Sequence, residues 1–162
     1  MKIINVDTST CFDDFFSKYQ AILEQNNNCL CKLEIKVFER SSVEFAKYKN
    51  NPLIDQSYFD SPFMCDTSQI ANNLAEIYLV TDYCDKIILP ESRYALILHE
   101  FGHIIFKRLQ YNKPQFEEEA FSDCIASQII GPQIMKNALN DMIKDNRFIR
   151  WKEEMEKRVA LL

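Results

Sequence analysis

Both histidines of the 162-residue chain lie in one pentapeptide, His99-Glu100-Phe101-Gly102-His103. On an α-helix, residues four apart share a face, so the imidazoles of His99 and His103 can bind one zinc ion together. The carboxylate of Glu100 would then reach a water molecule on the metal. A structural histidine needs neither this spacing nor this neighbour. The pattern therefore predicts metal-assisted hydrolysis.

Two histidines supply only half of a zinc centre, because catalytic zinc usually has three protein ligands and one position left for water. Metzincins complete the site with H-E-x-x-H-x-x-G-x-x-H. Here Phe106 and Leu109 stand where that motif needs glycine and histidine, so the metzincin class is excluded. Since no further histidine exists, the third ligand must be a carboxylate or a thiolate.

The strongest carboxylate candidate is Glu119, within an acidic stretch that begins at residue 117. The chain between His103 and Glu119 is long enough for one helix to end, for a turn at Asn112-Lys113-Pro114, and for an antiparallel helix to return to the metal. We therefore predict His99, His103 and Glu119 as the zinc ligands.

Asp123 lies one helical turn after Glu119 and shares its face. It is expected to accept a hydrogen bond from the outward nitrogen of a ligand histidine, most naturally His99, which would fix the ring and raise its basicity. Glu117 and Glu118 remain possible substitutes for Glu119. A competing interpretation is that these glutamates only stabilise a helix N-terminus through the helix dipole.

Glu100 is expected to act as the general base and acid. It would take a proton from water, whose pKa zinc lowers to about 7, and pass it to the leaving amine. The alternative is an ordinary surface glutamate. Gly102 costs roughly 1 kcal/mol relative to Ala inside a helix. Its presence suggests that the following helix or a hairpin packs closely against it.

A donor that stabilises the transition-state oxyanion would complete the site. Four tyrosines are near the motif in sequence, but nothing selects one of them, and each also suits a packing role: Tyr78, Tyr83, Tyr94 and Tyr111.

Several elements must position these groups. The period-two pattern of residues 33–37 predicts a strand, and residues 75–80 and 86–89 predict a hairpin. If residues 75–80 form an exposed edge, a substrate peptide could add to it as a further strand.

Helices account for most of the remaining chain. A first helix should end near Glu24, and the motif helix should run from Pro90 to about Leu109, with Ser92 a possible cap. A second site helix is predicted from about Phe116 to Ile130, ended by Gly131-Pro132. Residues 133–162 predict one or two amphipathic helices.

These elements predict an α+β fold, in which a short antiparallel sheet or hairpin packs on the motif helix and on the helix that carries Glu119. The composition shows no domain boundary, so residues 1–162 are expected to form a single domain. Its catalytic core would span about residues 75–132, followed by a helical C-terminal segment, residues 133–162.

Composition limits the partners. The formal net charge is −5, which does not favour direct binding of nucleic acid. Basic residues between Lys144 and Arg158 alternate with acidic ones and predict a solvated helix face. The apolar stretches are too short for a signal peptide or a membrane span, so a cytoplasmic location is expected. Free thiols are then expected at all six cysteines: Cys11, Cys29, Cys31, Cys65, Cys84 and Cys124.

With these residues assembled, the chain resembles the ImmA/IrrE family of zinc metallopeptidases, within the gluzincin group. The resemblance is carried by residues 93–103, which end in H-E-F-G-H, by Glu119-x-x-x-Asp123, and by the apolar segment 126–132 that closes in proline. Asp123 stands where the family commonly has Asn, and Ile125 where it has Phe. A further histidine often found after the motif is absent.

The resemblance implies a zincin-like fold, a zinc cofactor and an intracellular regulatory endopeptidase, often encoded on a mobile element. It also implies that the protein substrate is a DNA-binding repressor of the helix-turn-helix type. The leading hypothesis is thus a zinc-dependent endopeptidase. The alternatives are a zinc-stabilised binding or sensor module that cuts no peptide, and a helical protein without metal.

Overall fold

The computed structural model describes residues 2–5, 13–26, 32–38, 43–52, 63–80, 89–109 and 113–162. The chain divides into two compact units, residues 1–85 and 86–162. The described elements combine a four-stranded sheet with six α-helices, in agreement with the predicted α+β class. None of these helices is both long and apolar enough to cross a membrane.

The first unit contains a mixed sheet. Its described strands are β1 (Lys2–Asn5), β2 (Lys32–Phe38), β3 (Phe63–Asp66) and β4 (Leu74–Val80), in the order β1-β2-β4-β3. β2 pairs in parallel with β1 and β4, whereas β3 is antiparallel to β4. The unit also holds helices α1 (Asp13–Asn26) and α2 (Val43–Lys49). The predicted strand over residues 33–37 is confirmed.

The described residues confirm only the first strand of the predicted hairpin between residues 75–80 and 86–89, as β4. β4 lies between β2 and β3, so both of its edges are already paired over Glu76–Leu79. The antiparallel partner β3 precedes β4 through a turn in which Asp66 Oδ1 accepts from the Ser68 N–H at 2.8 Å and Asn73 takes a left-handed φ of 58°. Residues 81–88 lie outside the described part. Addition of a substrate strand to β4 is therefore ruled out along this register.

The second unit is built from helices. These are α3 (Pro90–Arg108), α4 (Gln115–Ile130), α5 (Pro132–Lys144), a 3-10 helix (Asn146–Trp151) and α6 (Lys152–Leu161). The predicted bounds of α3 and α4 are confirmed to within a residue or two. Gly131 ends α4 with a φ of 99°, which glycine adopts without strain, and Pro132 begins α5. The N-cap of α3 is Leu89 rather than Ser92, whose hydroxyl is buried in the first turn.

Gly102 lies where α3 and α4 come closest. A methyl group added there would lie 2.5 Å from the Ser122 Cα and 3.0 Å from its carbonyl oxygen. Any side chain at residue 102 would thus meet backbone, which cannot rotate away. The expected close neighbour is confirmed, and it is the following helix. Ser122 adjoins Asp123 and follows Glu119 by three residues. The contact between Gly102 and Ser122 therefore sets the distance between the histidines on α3 and the carboxylates on α4.

Substitution of Gly102 by Ala should push α3 and α4 apart. Overpacking of this kind costs about 1–3 kcal/mol. The gain in helix propensity of about 1 kcal/mol offsets only part of it. Guanidinium unfolding followed by circular dichroism should show the loss, while Gln128→Ala, an exposed change on α4, should stay within about 0.5 kcal/mol of the parent. An unchanged unfolding midpoint for Gly102→Ala would contradict the contact.

Candidate metal centre

Three side-chain groups converge between α3 and α4. The Nε2 atoms of His99 and His103 are 3.1 Å apart. Glu119 Oε2 lies 3.2 Å from His99 Nε2, and Glu119 Oε1 lies 3.6 Å from His103 Nε2. The spacing of four along α3 places both imidazoles on one face, and the antiparallel return of α4 brings the carboxylate to them.

The outward nitrogen of each imidazole contacts a carboxylate. His99 Nδ1 lies 2.7 Å from Asp123 Oδ1, and His103 Nδ1 lies 3.0 Å from Glu118 Oε1. An ionised carboxylate only accepts hydrogen bonds, so each Nδ1 carries a hydrogen and donates it. Each neutral ring then has a bare lone pair on Nε2. Two Nε2 atoms and the Glu119 carboxylate therefore face one another, an arrangement that can hold a cation between them.

The spacing of these atoms fits a tetrahedral ion. Ligand atoms about 2.0–2.1 Å from zinc lie about 3.3 Å from one another in a tetrahedron. The three observed separations, 3.1, 3.2 and 3.6 Å, bracket that value. His99, Glu100 and His103 also form a group able to hold a metal, with ligand atoms within 4.8 Å of one another. Glu119, with its oxygens 3.2 and 3.6 Å from the two Nε2 atoms, is also placed to serve as the third ligand.

Neighbouring charged groups shift the pKa values of His99 and Glu119 in the metal-free protein. Burial lowers the pKa of His99, but the charge and hydrogen bond of Asp123 and the contact with Glu119 outweigh it and raise the pKa from 6.5 to about 10. Burial raises the pKa of Glu119, yet the two histidines and Arg158 lower it to about 2. The centre thus holds a proton strongly when it holds no metal.

Glu118 takes a role that the sequence did not indicate. It was a candidate substitute for the third ligand, but its Oε1 accepts from His103 and its Oε2 accepts from Lys107 Nζ at 2.7 Å. The hydrogen bond with His103 lowers the pKa of Glu118. Glu118 therefore orients one histidine as Asp123 orients the other. Glu117, the other substitute, is exposed and lies 3.6 Å from Lys113 Nζ.

Arg158 is a further part of the site that sequence reasoning missed. It was assigned to a solvated helix face, yet it is 7% exposed and contacts both Asp123 and Glu119. One signal was present: Arg158 follows Met155 by three residues and so shares a face with an apolar side chain that is itself buried.

Glu100 is buried beside the two histidines. Burial raises the pKa of its carboxyl group, and the charges of His103 and His99 oppose this shift. A buried carboxyl group with a raised pKa is suited to proton transfer. The alternative interpretation of an ordinary surface glutamate is therefore wrong.

The remaining candidates contribute less. Tyr78 belongs to the first unit, and both Tyr78 and Tyr94 are buried as packing tyrosines are. Tyr83 and Tyr111 lie outside the described residues. Cys65 and Cys124 are free thiols, as expected, and the other four cysteines lie outside the described part.

No family model, curated protein or solved structure matches this chain. The resemblance to the ImmA/IrrE metallopeptidases therefore stays a prediction that depends on the motifs and on the geometry above.

Glu119 and Glu118 should respond differently to substitution. Glu119→Gln should remove a ligand and lower zinc occupancy after dialysis to well below one ion per chain. Glu118→Gln should retain the ion but weaken its binding about 10–100-fold, because it affects only the orientation of His103. Competition against a chromophoric chelator measures both. Equal behaviour of the two variants would contradict the assignment of Glu119 as the ligand.

Zinc binding should release a proton near pH 7. His99 has its pKa raised to about 10, so its Nε2 is protonated in the metal-free protein at neutral pH, and the ion must displace that proton. The apparent affinity should therefore rise with pH, about tenfold per pH unit for each proton released. Calorimetry in buffers of different ionisation enthalpy counts the protons. An affinity that stays constant between about pH 6 and 8 would contradict this coupling.

Proposed function

We propose that this protein is a zinc-dependent endopeptidase with a zincin-like fold. The observation that supports this most is the set of groups formed by His99 Nε2, His103 Nε2 and the Glu119 carboxylate, with the buried Glu100 beside it. A metal that only stabilises a fold needs no such carboxyl group. Glu100 is thus the reason to prefer hydrolysis over a zinc-stabilised binding or sensor module.

His99, His103 and Glu119 would hold the ion, and their donor set of two imidazoles and one carboxylate is the one found in gluzincins. When bound, zinc supplies the Lewis acidity that polarises the scissile carbonyl and makes water a stronger acid. Glu100 accepts the proton that the attacking water loses. It then returns that proton to the nitrogen of the leaving amine, so the C–N bond breaks without expelling an anion.

The proposed substrate is a protein, and a DNA-binding repressor is the class that the motif resemblance indicates. Such a protein carries a basic surface for DNA. The net charge of −5 on this chain suits an encounter with that surface and does not suit competition for the DNA itself.

Glu100→Gln tests the proposal. This change keeps the shape of the side chain and removes its ability to take a proton, so zinc content should be retained while cleavage falls by at least about 10²-fold. Cells that express the parent or the Glu100→Gln protein can be compared by mass spectrometry of new N-termini, together with elemental analysis of each purified protein. The parent alone should generate new N-termini.

Two results would sink the proposal. Full proteolysis by the Glu100→Gln variant would remove Glu100 from the mechanism. Stoichiometric zinc in both proteins without any new N-terminus in either would identify the binding or sensor module instead.

A further inference from the structure

We infer that Arg158 is a positioning residue of the metal centre, which fixes the Glu119 and Asp123 carboxylates in the orientation that the ion requires. The inference rests on the proposed zinc site and adds helix α6 to it. It extends the centre beyond residues 75–132, which were predicted to contain the catalytic core.

The contacts of Arg158 connect α6 to both acidic residues on α4. Its Nε donates to Asp123 Oδ2 at 2.7 Å and its Nη2 donates to Asp123 Oδ1 at 2.8 Å, which makes a bidentate pair. Its Nη1 donates to Glu119 Oε2 at 2.8 Å. The guanidinium group is planar and its donors are rigidly spaced, so these three bonds fix the two carboxylates relative to each other.

One of these bonds acts on the ligand atom itself. Glu119 Oε2, which accepts from Arg158 Nη1, also lies 3.2 Å from His99 Nε2. A carboxylate oxygen has two lone pairs. When Arg158 occupies one of them, the other stays available on the side of His99, where it could bind the ion.

Arg158 also affects the orientation of His99, through Asp123. Its Oδ1 accepts from both Arg158 Nη2 and His99 Nδ1. Arg158 therefore orients one ligand directly and another through a single intermediate residue. Without its positive charge, the buried Asp123 and the partly buried Glu119 would be two carboxylates one turn apart, and their repulsion would favour turning Glu119 away from the histidines.

Metal affinity of the full-length protein tests the inference. Arg158→Met should weaken zinc binding about 10–100-fold, the range typical of residues that orient metal ligands. It should also reduce the intensity of the visible absorption of the cobalt(II)-loaded protein, which reports tetrahedral coordination. Lys157→Met, the matched control, removes a positive charge from the adjacent residue, whose side chain is exposed and pairs with Glu153. The Lys157→Met substitution should change neither the zinc affinity nor the visible absorption of the cobalt(II)-loaded protein.

Arg158→Lys keeps the protein measurable if Arg158→Met fails to fold, as circular dichroism of the metal-free proteins will show. A lysine ammonium cannot bridge both carboxylates in this geometry, so a loss of about tenfold is expected. Affinity and spectrum equal to those of the parent, or tighter binding, would overturn the inference. Failure of the proposed function is a separate result, because the parent protein would then bind no zinc or cleave nothing.

Discussion

The structure of the second unit depends on one electrostatic constraint, which is that three electron-pair donors lie so close together that a proton or a metal ion must offset their repulsion. His99 Nε2, His103 Nε2 and the Glu119 carboxylate lie 3.1–3.6 Å apart. Carboxylates in and around this cluster outnumber the cationic groups, so burial without a further positive charge would be costly. A proton on His99 meets this need in the metal-free protein, and a divalent ion could take its place.

Backbone contact between two helices supplies the distances that this cluster requires. The absence of a side chain at Gly102 lets α3 approach the Ser122 backbone of α4. Glu119 and Asp123 lie on either side of Ser122 along α4, and each reaches a different nitrogen of His99. The insertion or deletion of one residue in either helix would rotate the side chains that follow it by about 100° around the helix axis. The histidines and carboxylates would then no longer face one another. The geometry of the cluster therefore depends both on the close helix approach at Gly102 and on the period of the two helices.

Short-range patterns in the sequence predicted the parts of the site that lie within one or two helical turns. The pairs His99/His103 and Glu119/Asp123 follow from a spacing of four, and the Gly131-Pro132 ending of α4 follows from backbone chemistry. Arg158 could not be found this way, because it meets Asp123 from 35 residues along the chain. The strand partner of β4 was missed for a related reason: an apolar run predicts a strand but does not identify its neighbour.

The two histidines differ in how firmly the protein fixes them. His99 is held by Asp123 and Arg158, whose side chains are 2% and 8% exposed. His103 is held by Glu118 and Lys107, and the lysine side chain is 44% exposed. Salt screens an exposed pair far more than a buried one. The orientation of His99 is therefore set by the packed interior, whereas that of His103 depends on an ion pair that reaches the surface.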